Sequence, residues 1–523
     1  MRVAHAVLGG ALGLVWLVLP GMTSHDDVPV AIKEPTPAAT AVAADEDETS
    51  TADLVLPLVA VGAAVAVAGY GYVRRVRRAR ERTTPGGAAG PPPKAPPPLT
   101  ARDEQSCAAL VEADNRLRAG RSELGFAETL FGAEAVAGFR RAVGEAESEL
   151  AAAFRMRQRY DEGVPAEEAA RGHALAGIIG RCEEAGRRLD AVADAFSELR
   201  GLERGTEGAL GTPGASEAAG ASGVLGALGV AEGRFRELTG RAGVAEAVLA
   251  GLRARYAPTA TASVTGNVEQ AKDRLVFATV RLNQARQAAD SGRRERAARQ
   301  LRAAEGAVDQ AAVFVEGVDR LATELRSAEQ TIPAALTGAE AELSWVRAGE
   351  TAHGPAGTPP GELHARLVHA DAVLDSVRQE VTGGQPYDPL GVLRRIVAAT
   401  SPVASGRAGV LPAAALITAR TATAAAADFV ATHRGAVGAT ARTRLAEAQR
   451  LLATGDPADR PPADALALTA RELAELDVRT HGTPYPSATA GTGGAVLGGI
   501  VPPDNPETGT PTGFTTPTAP TPG

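Results

Sequence analysis

The side chains that could carry out chemistry are few in this sequence, and their spacing matches no familiar catalytic or metal-binding pattern. His364 and His369 lie five positions apart, with Asp371 and Asp375 close behind them. Metal ligands on one helix face usually lie three or four positions apart, whereas five positions turn a side chain by about 140°. We therefore interpret the two histidines as surface or boundary residues. His433 is isolated from the other histidines.

Other candidate motifs also lack the context that catalysis needs. The stretch THRGAVG, residues 432–438, has closely spaced glycines but no Gly-Lys-Ser/Thr sequence, so it predicts a corner between helices rather than a phosphate loop. Glu183 and Glu184 fall in an amphipathic helical pattern, which indicates a solvated face. Cys107 and Cys182 are too far apart in the chain to suggest a disulfide or a metal site. We expect no enzyme activity, no cofactor and no metal.

The stretch around which the chain is organised is an uncharged run of 20 residues, 54–73. At about 1.5 Å per helical residue it reaches about 30 Å, the thickness of the hydrocarbon core of a bilayer. We predict that it is a transmembrane helix, the alternative being a buried core helix of a soluble protein. The side chains predicted to contact lipid headgroups follow at its end: Tyr70, Tyr72, Arg74, Arg75, Arg77, Arg78, Arg80 and Arg82. The positive-inside rule then places the bulk of the chain in the cytoplasm.

Composition divides the rest of the chain into segments around this span. Residues 1–24 are typical of a signal peptide, and residues 25–52 form a short acidic extracytoplasmic stub. Residues 74–98 are a basic and then Pro/Gly-rich linker, and residues 99–480 form the cytoplasmic helical region. The Gly/Pro/Thr-rich residues 481–523 cannot bury a core and are expected to be disordered.

Overall composition limits the possible architectures and partners. Apolar residues make up 44% of the chain but aromatic residues only 3%, which favours narrow seams between helices over a large globular core. The formal net charge of −8 argues against a general nucleic-acid-binding protein. Membrane lipid and an unidentified protein, or a second copy of the chain, are the expected partners.

The helical region is predicted to be all-α, an elongated and coiled-coil-rich array of antiparallel hairpins. Its most regular window has an apolar seam that includes Leu301, Val308, Val315, Val318 and Leu325. Gly- and Pro-containing breaks at 257–267, 291–292, 353–361 and 383–389 predict reversals, and residues 205–222 suggest a flexible insertion. Further helices are expected at 133–160, 166–202, 223–256, 268–289, 332–348, 361–381, 411–432, 436–452 and 463–478.

Several stretches together carry a resemblance to a known family. They are SELGFAETLFGAEA (122–135), ELAAAFRMRQRYDE (149–162), RCEEAGRRLDAVADAFSELR (181–200), RYAPTATASVTGNVEQAKDRLVFA (255–278), RAAEGAVDQA (302–311), PYDPLGVLRR (386–395), FVATHRGAVGATARTRLAEAQRLL (429–452) and GGAVLGGI (493–500). In this order behind a span and an arginine cluster, they resemble the cytoplasmic part of actinobacterial TPM-domain membrane proteins. Members of that family carry a phosphatase-like TPM domain between signal and span, but here that interval is only residues 25–52. The resemblance therefore implies an architecture and a location, and no catalytic or metal-binding residue is carried over.

These patterns favour a single-pass, membrane-anchored cytoplasmic scaffold or adaptor rather than an enzyme. Its partner would dock through helix pairing. One alternative is a degenerate TPM-family subunit that acts with an enzyme carrying the missing domain. Another is an envelope-facing structural protein of inverted orientation, which the Thr/Pro-rich tail would suit.

Overall fold

The structure, a computed structural model, describes residues 98–201, 213–349, 358–403 and 409–481. Within these ranges the chain is all-α, as predicted, and contains no strand. The predicted signal peptide, stub, membrane span, linker up to residue 97 and tail from residue 482 lie outside the described residues. The predicted interface residues from Tyr70 to Arg82 therefore lie outside them too. Eleven α-helices of at least twelve residues lie in these ranges. They are α1 (Leu99–Phe131), α2 (Ala137–Asp161), α3 (Glu168–Leu199), α4 (Pro213–Arg255), α5 (Asn267–Asp290), α6 (Arg294–Ala348), α7 (Pro360–Thr382), α8 (Pro389–Thr400), α9 (Val410–Thr432), α10 (Ala439–Thr454) and α11 (Arg460–His481).

Helix α6 is the element against which most of the others pack. It has 55 residues, which corresponds to a length of about 80 Å, and it contacts α1, α4, α5, α7, α8 and α9. The predicted seam residues Leu301, Val308, Val315, Val318 and Leu325 are each at most 1% exposed. They belong to one buried cluster with residues of α4, α5 and α8, so this seam lies inside a multi-helix core.

A single helix replaces two predicted ones in this region. The sequence predicts separate helices at 301–325 and 332–348, but α6 continues through Pro333. A proline in a helix interior removes a backbone hydrogen bond and costs about 3 kcal/mol or more. Ile332, Ala335 and Ala339 are all 0% exposed, so the buried face continues past the proline and offsets this cost. Packing therefore outweighs the local preference of proline, and the two stretches form one helix.

Two helix starts also differ from the sequence prediction. The expected flexible insertion at 205–222 was wrong for its second half, because α4 begins at Pro213. Proline suits a first helical turn, where its missing N–H would have no partner in any case. Helix α8 was not predicted, although Asp388 accepts hydrogen bonds from the N–H groups of Leu390 (3.1 Å) and Gly391 (3.0 Å) as a helix N-cap does.

The helices are connected as antiparallel hairpins, most clearly in α5 and α6. Gly292 turns the chain between them with a φ of 71°, a left-handed conformation that glycine adopts without steric cost. Arg281 donates to Gln300 at 2.9 Å, and Arg274 donates to Gln310 at 2.7 Å. Both pairs are centred on the turn, as an antiparallel register requires, so the predicted reversal is confirmed. Helices α2 and α3, and α10 and α11, pair in the same manner.

A buried ion cluster joins α1, the end of α3 and α6. The Arg200 guanidinium, whose side chain is 2% exposed, donates to both carboxylate oxygens of Glu305 at 2.6 and 2.8 Å. It also donates to Glu123 at 3.2 Å, and Arg302 lies 3.6 Å from the same Glu123 oxygen. Since these groups are shielded from water, each charge depends on the others for its stabilisation.

In the described part of the chain, α9 is the one helix that is long and apolar enough to cross a bilayer. Half of its most apolar window is buried inside the protein, and the helix contacts α6, α8, α10 and α11. Ala414, Ala419 and Ala426 on this helix are 0% exposed. We interpret α9 as a core helix, because core helices meet the same criteria of length and composition.

Candidate functional site

A polar cavity lies where α6 and α9 meet the segment that connects α4 to α5. Its volume is about 100 Å³, and we call it the His433 cavity. Its walls combine backbone and hydroxyl groups of residues 262–267 with charged and aromatic side chains. The charged and aromatic residues are Phe314, Arg320, Glu324, Asp428, Phe429, His433 and Arg471.

The carboxyl groups of this cavity hold their protons more tightly than usual. Asp428 forms an ion pair with Arg320, and its side chain is 27% exposed. Burial raises the pKa of Asp428 to about 6, although Arg320 acts in the opposite direction. Burial also raises the pKa of Glu324. Small changes of pH below neutrality therefore change the charge of Asp428.

The imidazole of His433 lines the same cavity and is held neutral. Its ring stacks on Phe429 with centroids 4.2 Å apart, and its Nδ1 lies 3.1 Å from the Phe429 carbonyl oxygen. That contact places the hydrogen on Nδ1 and leaves Nε2 as an acceptor. Burial, together with repulsion from Arg274 and Arg471, lowers the pKa of His433 to about 4. The cavity can therefore receive a small polar ligand through neutral and charged groups. No group of three His, Cys, Asp or Glu side chains suited to a metal ion occurs in the described residues.

A larger opening lies between α1, α2 and α10, with a volume of about 330 Å³. We call it the arginine cleft, because five arginines and three acidic residues line it, giving a formal charge of +2. They are Arg118, Arg121, Arg155, Arg442, Arg450, Asp114, Glu147 and Glu447. Arg155 is exposed and has no ion pair or hydrogen bond with another described side chain.

The floor of the arginine cleft is built around the buried Arg442. Its guanidinium donates to Asp114 at 2.5 Å, to Asn115 at 2.9 Å and to the backbone carbonyls of Val437 (3.1 Å) and Arg434 (2.5 Å). Burial alone would raise the pKa of Asp114, but the neighbouring arginines outweigh burial and lower it. Arg442 therefore fixes α10 to α1.

Of the residues singled out in the sequence, the two histidines of α7 lie away from these cavities, whereas the THRGAVG stretch contributes His433 to one cavity and Arg434 to another. His364 and His369 are both exposed on α7. The THRGAVG stretch forms the predicted corner, between α9 and α10. His433, which is isolated from the other histidines in the sequence, contacts Phe429 and helps to line a cavity built from four separate segments of the chain. Sequence reasoning missed it because no local spacing relates Arg320 to Asp428 or Arg471.

Comparison with known proteins shows a distant homology. No family model matches the chain, and no solved structure matches it. UPF0603 protein Rv2345 and UPF0603 protein MT2410, both of Mycobacterium tuberculosis, are each 32% identical to it over 425 residues. The matched region is 77% of this chain and 61% of each relative, so the chain spans less than two thirds of the length of these curated relatives. The chain is thus a distant homologue of these UPF0603 proteins.

Proposed function

We propose that this chain is a single-pass membrane-anchored adaptor whose helical region binds an acidic segment of a protein partner in the cytoplasm. The arginine cleft is the observation that carries this proposal. It is open to solvent, about 330 Å³ in volume and positively charged, in a chain whose formal net charge is −8. Guanidinium groups bind carboxylates in a fork geometry, so a segment with two or more acidic residues fits such a cleft.

Arg155 is the side chain best placed to contact an incoming carboxylate. It needs to break no existing ion pair, whereas Arg121 is paired with Glu147 at 2.5 Å and Arg450 with Glu447 at 2.6 Å. Pairs at a partly exposed rim contribute about 0.2 to 1 kcal/mol each. Several such contacts would give an affinity that depends strongly on ionic strength.

Crosslinking and affinity capture of the tagged full-length chain test this proposal. Arg155→Glu replaces an attraction by a repulsion and should weaken partner binding by about 1 to 2 kcal/mol, or about five- to thirtyfold. The matched control is Arg420→Glu, which reverses an exposed charge on α9 outside the cleft. Recovery of the same partner by both variants, or recovery of the chain alone, would contradict the proposed role of the cleft.

The cytoplasmic location is tested separately by topology reporters fused after Gly90 and after Gly482. We expect a cytoplasmic signal at both positions, because the arginines that follow residue 73 should remain inside. External signals at both positions would mean that the arginine cluster was misinterpreted. The adaptor would then have to act at the cell envelope.

A second candidate function rests on the homology to longer proteins. The relatives extend beyond the matched region, which is 61% of their length. Under this alternative, the chain is a TPM-type subunit that acts with a separate enzyme carrying the phosphatase-like domain. Copurification of this chain with a TPM-domain protein encoded beside it would favour this alternative, and its absence from the captured complex would favour a different partner.

A further inference from the structure

Arg274 on α5 is a fully buried cation with incomplete hydrogen bonding. It is 0% exposed, and its Nε donates to Gln310 Oε1 at 2.7 Å. Neither Nη1 nor Nη2 has a hydrogen-bond partner among the described residues. The guanidinium lies 5.4 Å from the centre of the Phe314 ring, and burial lowers its pKa to about 10. Buried guanidinium groups are normally neutralised by a carboxylate, so this charge calls for a functional explanation.

The contact with Arg274 determines how the Gln310 side chain is oriented. A guanidinium has only donors, so the amide oxygen of Gln310 must face it. The amide nitrogen is then left as a free donor, and Nε2 has no hydrogen-bond partner in the described part of the chain. Gln310 is 5% exposed and lines a cavity between α1, α6 and the corner after α9. Arg274 is thus a positioning residue for a donor in that cavity.

We call this opening the Arg434 cavity, and its volume is about 240 Å³. It is smaller than typical pockets for drug-sized molecules, which favours a small ligand. Its polar and charged lining residues are Arg118, Arg121, Ser122, Asp309, Gln310 and Arg434. Donors therefore converge on it from α1, from α6 and from the α9–α10 corner.

The balance of charge in the Arg434 cavity is positive. Three arginines face one carboxylate, and burial raises the pKa of that carboxylate, on Asp309. Arg118 and Arg121 also contact Asp114 and Glu147, but these two acids line the arginine cleft rather than this cavity. Burial and repulsion from Arg118 lower the pKa of Arg434 to about 10, although Asp309 acts in the opposite direction.

We propose that the Arg434 cavity binds a small phosphate monoester, with Gln310 and Arg434 donating to its oxygens. A phosphate offers more acceptor oxygens than a carboxylate and can be reached from three directions at once. The cavity volume leaves room for a short polar substituent. This proposal does not rest on the adaptor function, because its ligand and its two principal residues lie outside the arginine cleft.

Thermal unfolding of the full-length protein in detergent, titrated with glycerol 3-phosphate against sodium chloride of equal ionic strength, tests this site. A ligand that binds only the folded state raises the unfolding temperature in a saturable manner. The variant Gln310→Glu gives Arg274 a buried counter-ion and places a negative charge in the cavity. Without ligand, this variant should unfold at the same or a higher temperature than the wild type. The concentration of glycerol 3-phosphate that gives half of the maximal rise in unfolding temperature should increase at least tenfold.

The matched control is Gln300→Glu, because Gln300 also lies on α6 and accepts a hydrogen bond from an arginine of α5, Arg281. It should keep the wild-type response, as should Arg420→Gln, while Arg434→Gln should lose it. Equal responses of Gln310→Glu and Gln300→Glu would count against a free phosphate monoester as the ligand, because phosphate also stabilises proteins non-specifically. So would a wild-type response no larger than that to chloride.

A free metabolite and a lipid headgroup share this chemistry, and a second titration distinguishes them. Phosphatidylcholine vesicles with and without phosphatidic acid are compared with glycerol 3-phosphate, again for Gln310→Glu and Gln300→Glu. A difference between the two variants with glycerol 3-phosphate identifies a free phosphate monoester. A difference with phosphatidic acid alone identifies a lipid headgroup. No difference with either ligand refutes the site.

Discussion

The buried Arg200 guanidinium provides the most stringent test of how the helical region is held together. Arg200→Met keeps most of the apolar stem of the side chain but removes the charge. Glu305, whose side chain is 2% exposed, would lose both of its hydrogen bonds from Arg200, and Glu123 would lose one. Arg302 would remain near Glu123, 3.6 Å away, but Glu305 would be left as a buried carboxyl without its principal partner.

The size of the expected effect follows from this burial. Removal of one partner from a buried ion pair destabilises a protein by about 3 to 5 kcal/mol, because the remaining charge stays out of water. The control is Arg378→Met, which breaks an ion pair with Glu340 whose side chains are 49% and 44% exposed. Exposed pairs of this kind contribute about 0 to 1 kcal/mol. Comparing the two variants thus separates the effect of burial from the effect of losing an ion pair.

Urea denaturation followed by circular dichroism measures both variants. We expect a large fall in the midpoint for Arg200→Met and almost none for Arg378→Met. The double variant Arg200→Met, Glu305→Met should recover part of the loss, because it removes the stranded carboxyl as well. If Arg200→Met shifted the midpoint no more than Arg378→Met, the cluster would not be as buried or as coupled as its geometry indicates.

Three further predictions concern titratable groups. The pKa of Asp428 is raised from 3.8 to about 6, so stability should fall as pH rises through this window. The fall in the free energy of unfolding is about 2 kcal/mol after allowance for partial exposure, and Asp428→Asn should remove it. Urea denaturation midpoints between pH 4 and 7 measure this fall, and a variant whose midpoint depends on pH as the wild type does would contradict the prediction. The pKa of His433 is lowered from 6.5 to about 4, so stability should fall as pH drops through that window, and His433→Gln should abolish this loss in the same assay. Burial raises the pKa of Cys182 to about 12, so mass spectrometry should find it unmodified by iodoacetamide at pH 8 until urea unfolds the protein. Fast native labelling of Cys182, relative to the half-buried Cys107, would show that this core opens.

Local rules predicted the helical class and several reversals well. The turn at Gly292 and the corner at residues 432–438 follow from residue types that act over a few positions. The same rules did not show that the seam window at 301–325 and the helix at 332–348 form one helix, which the buried face formed by Ile332 and Ala335 carries through Pro333. Helix α8 was missed although Asp388 and Pro389 together form a recognisable start signal.

The cavities could not be predicted in the same manner. Arg274 and Gln310 are 36 positions apart, and Arg434 follows more than a hundred positions later. Only the packing of α5, α6 and α9 brings them near one another. The one available signal was an arginine at a position where the helical pattern calls for an apolar residue. Arg274 and Arg442, on α5 and α10, both fit that description.

The hydrogen bond between Arg442 and Asp114 can form only after most of the helical region has been synthesised. It joins residues 328 positions apart. At a synthesis rate of about 5 to 20 residues per second, roughly 16 to 65 seconds separate the emergence of these two side chains. Throughout that interval, Asp114 and the part of α1 that packs on α10 lack their final partner. A nascent chain therefore lacks the Arg442 partner of Asp114 until almost the whole helical region has been made, and any truncation before α10 would leave that side of α1 uncovered by α10.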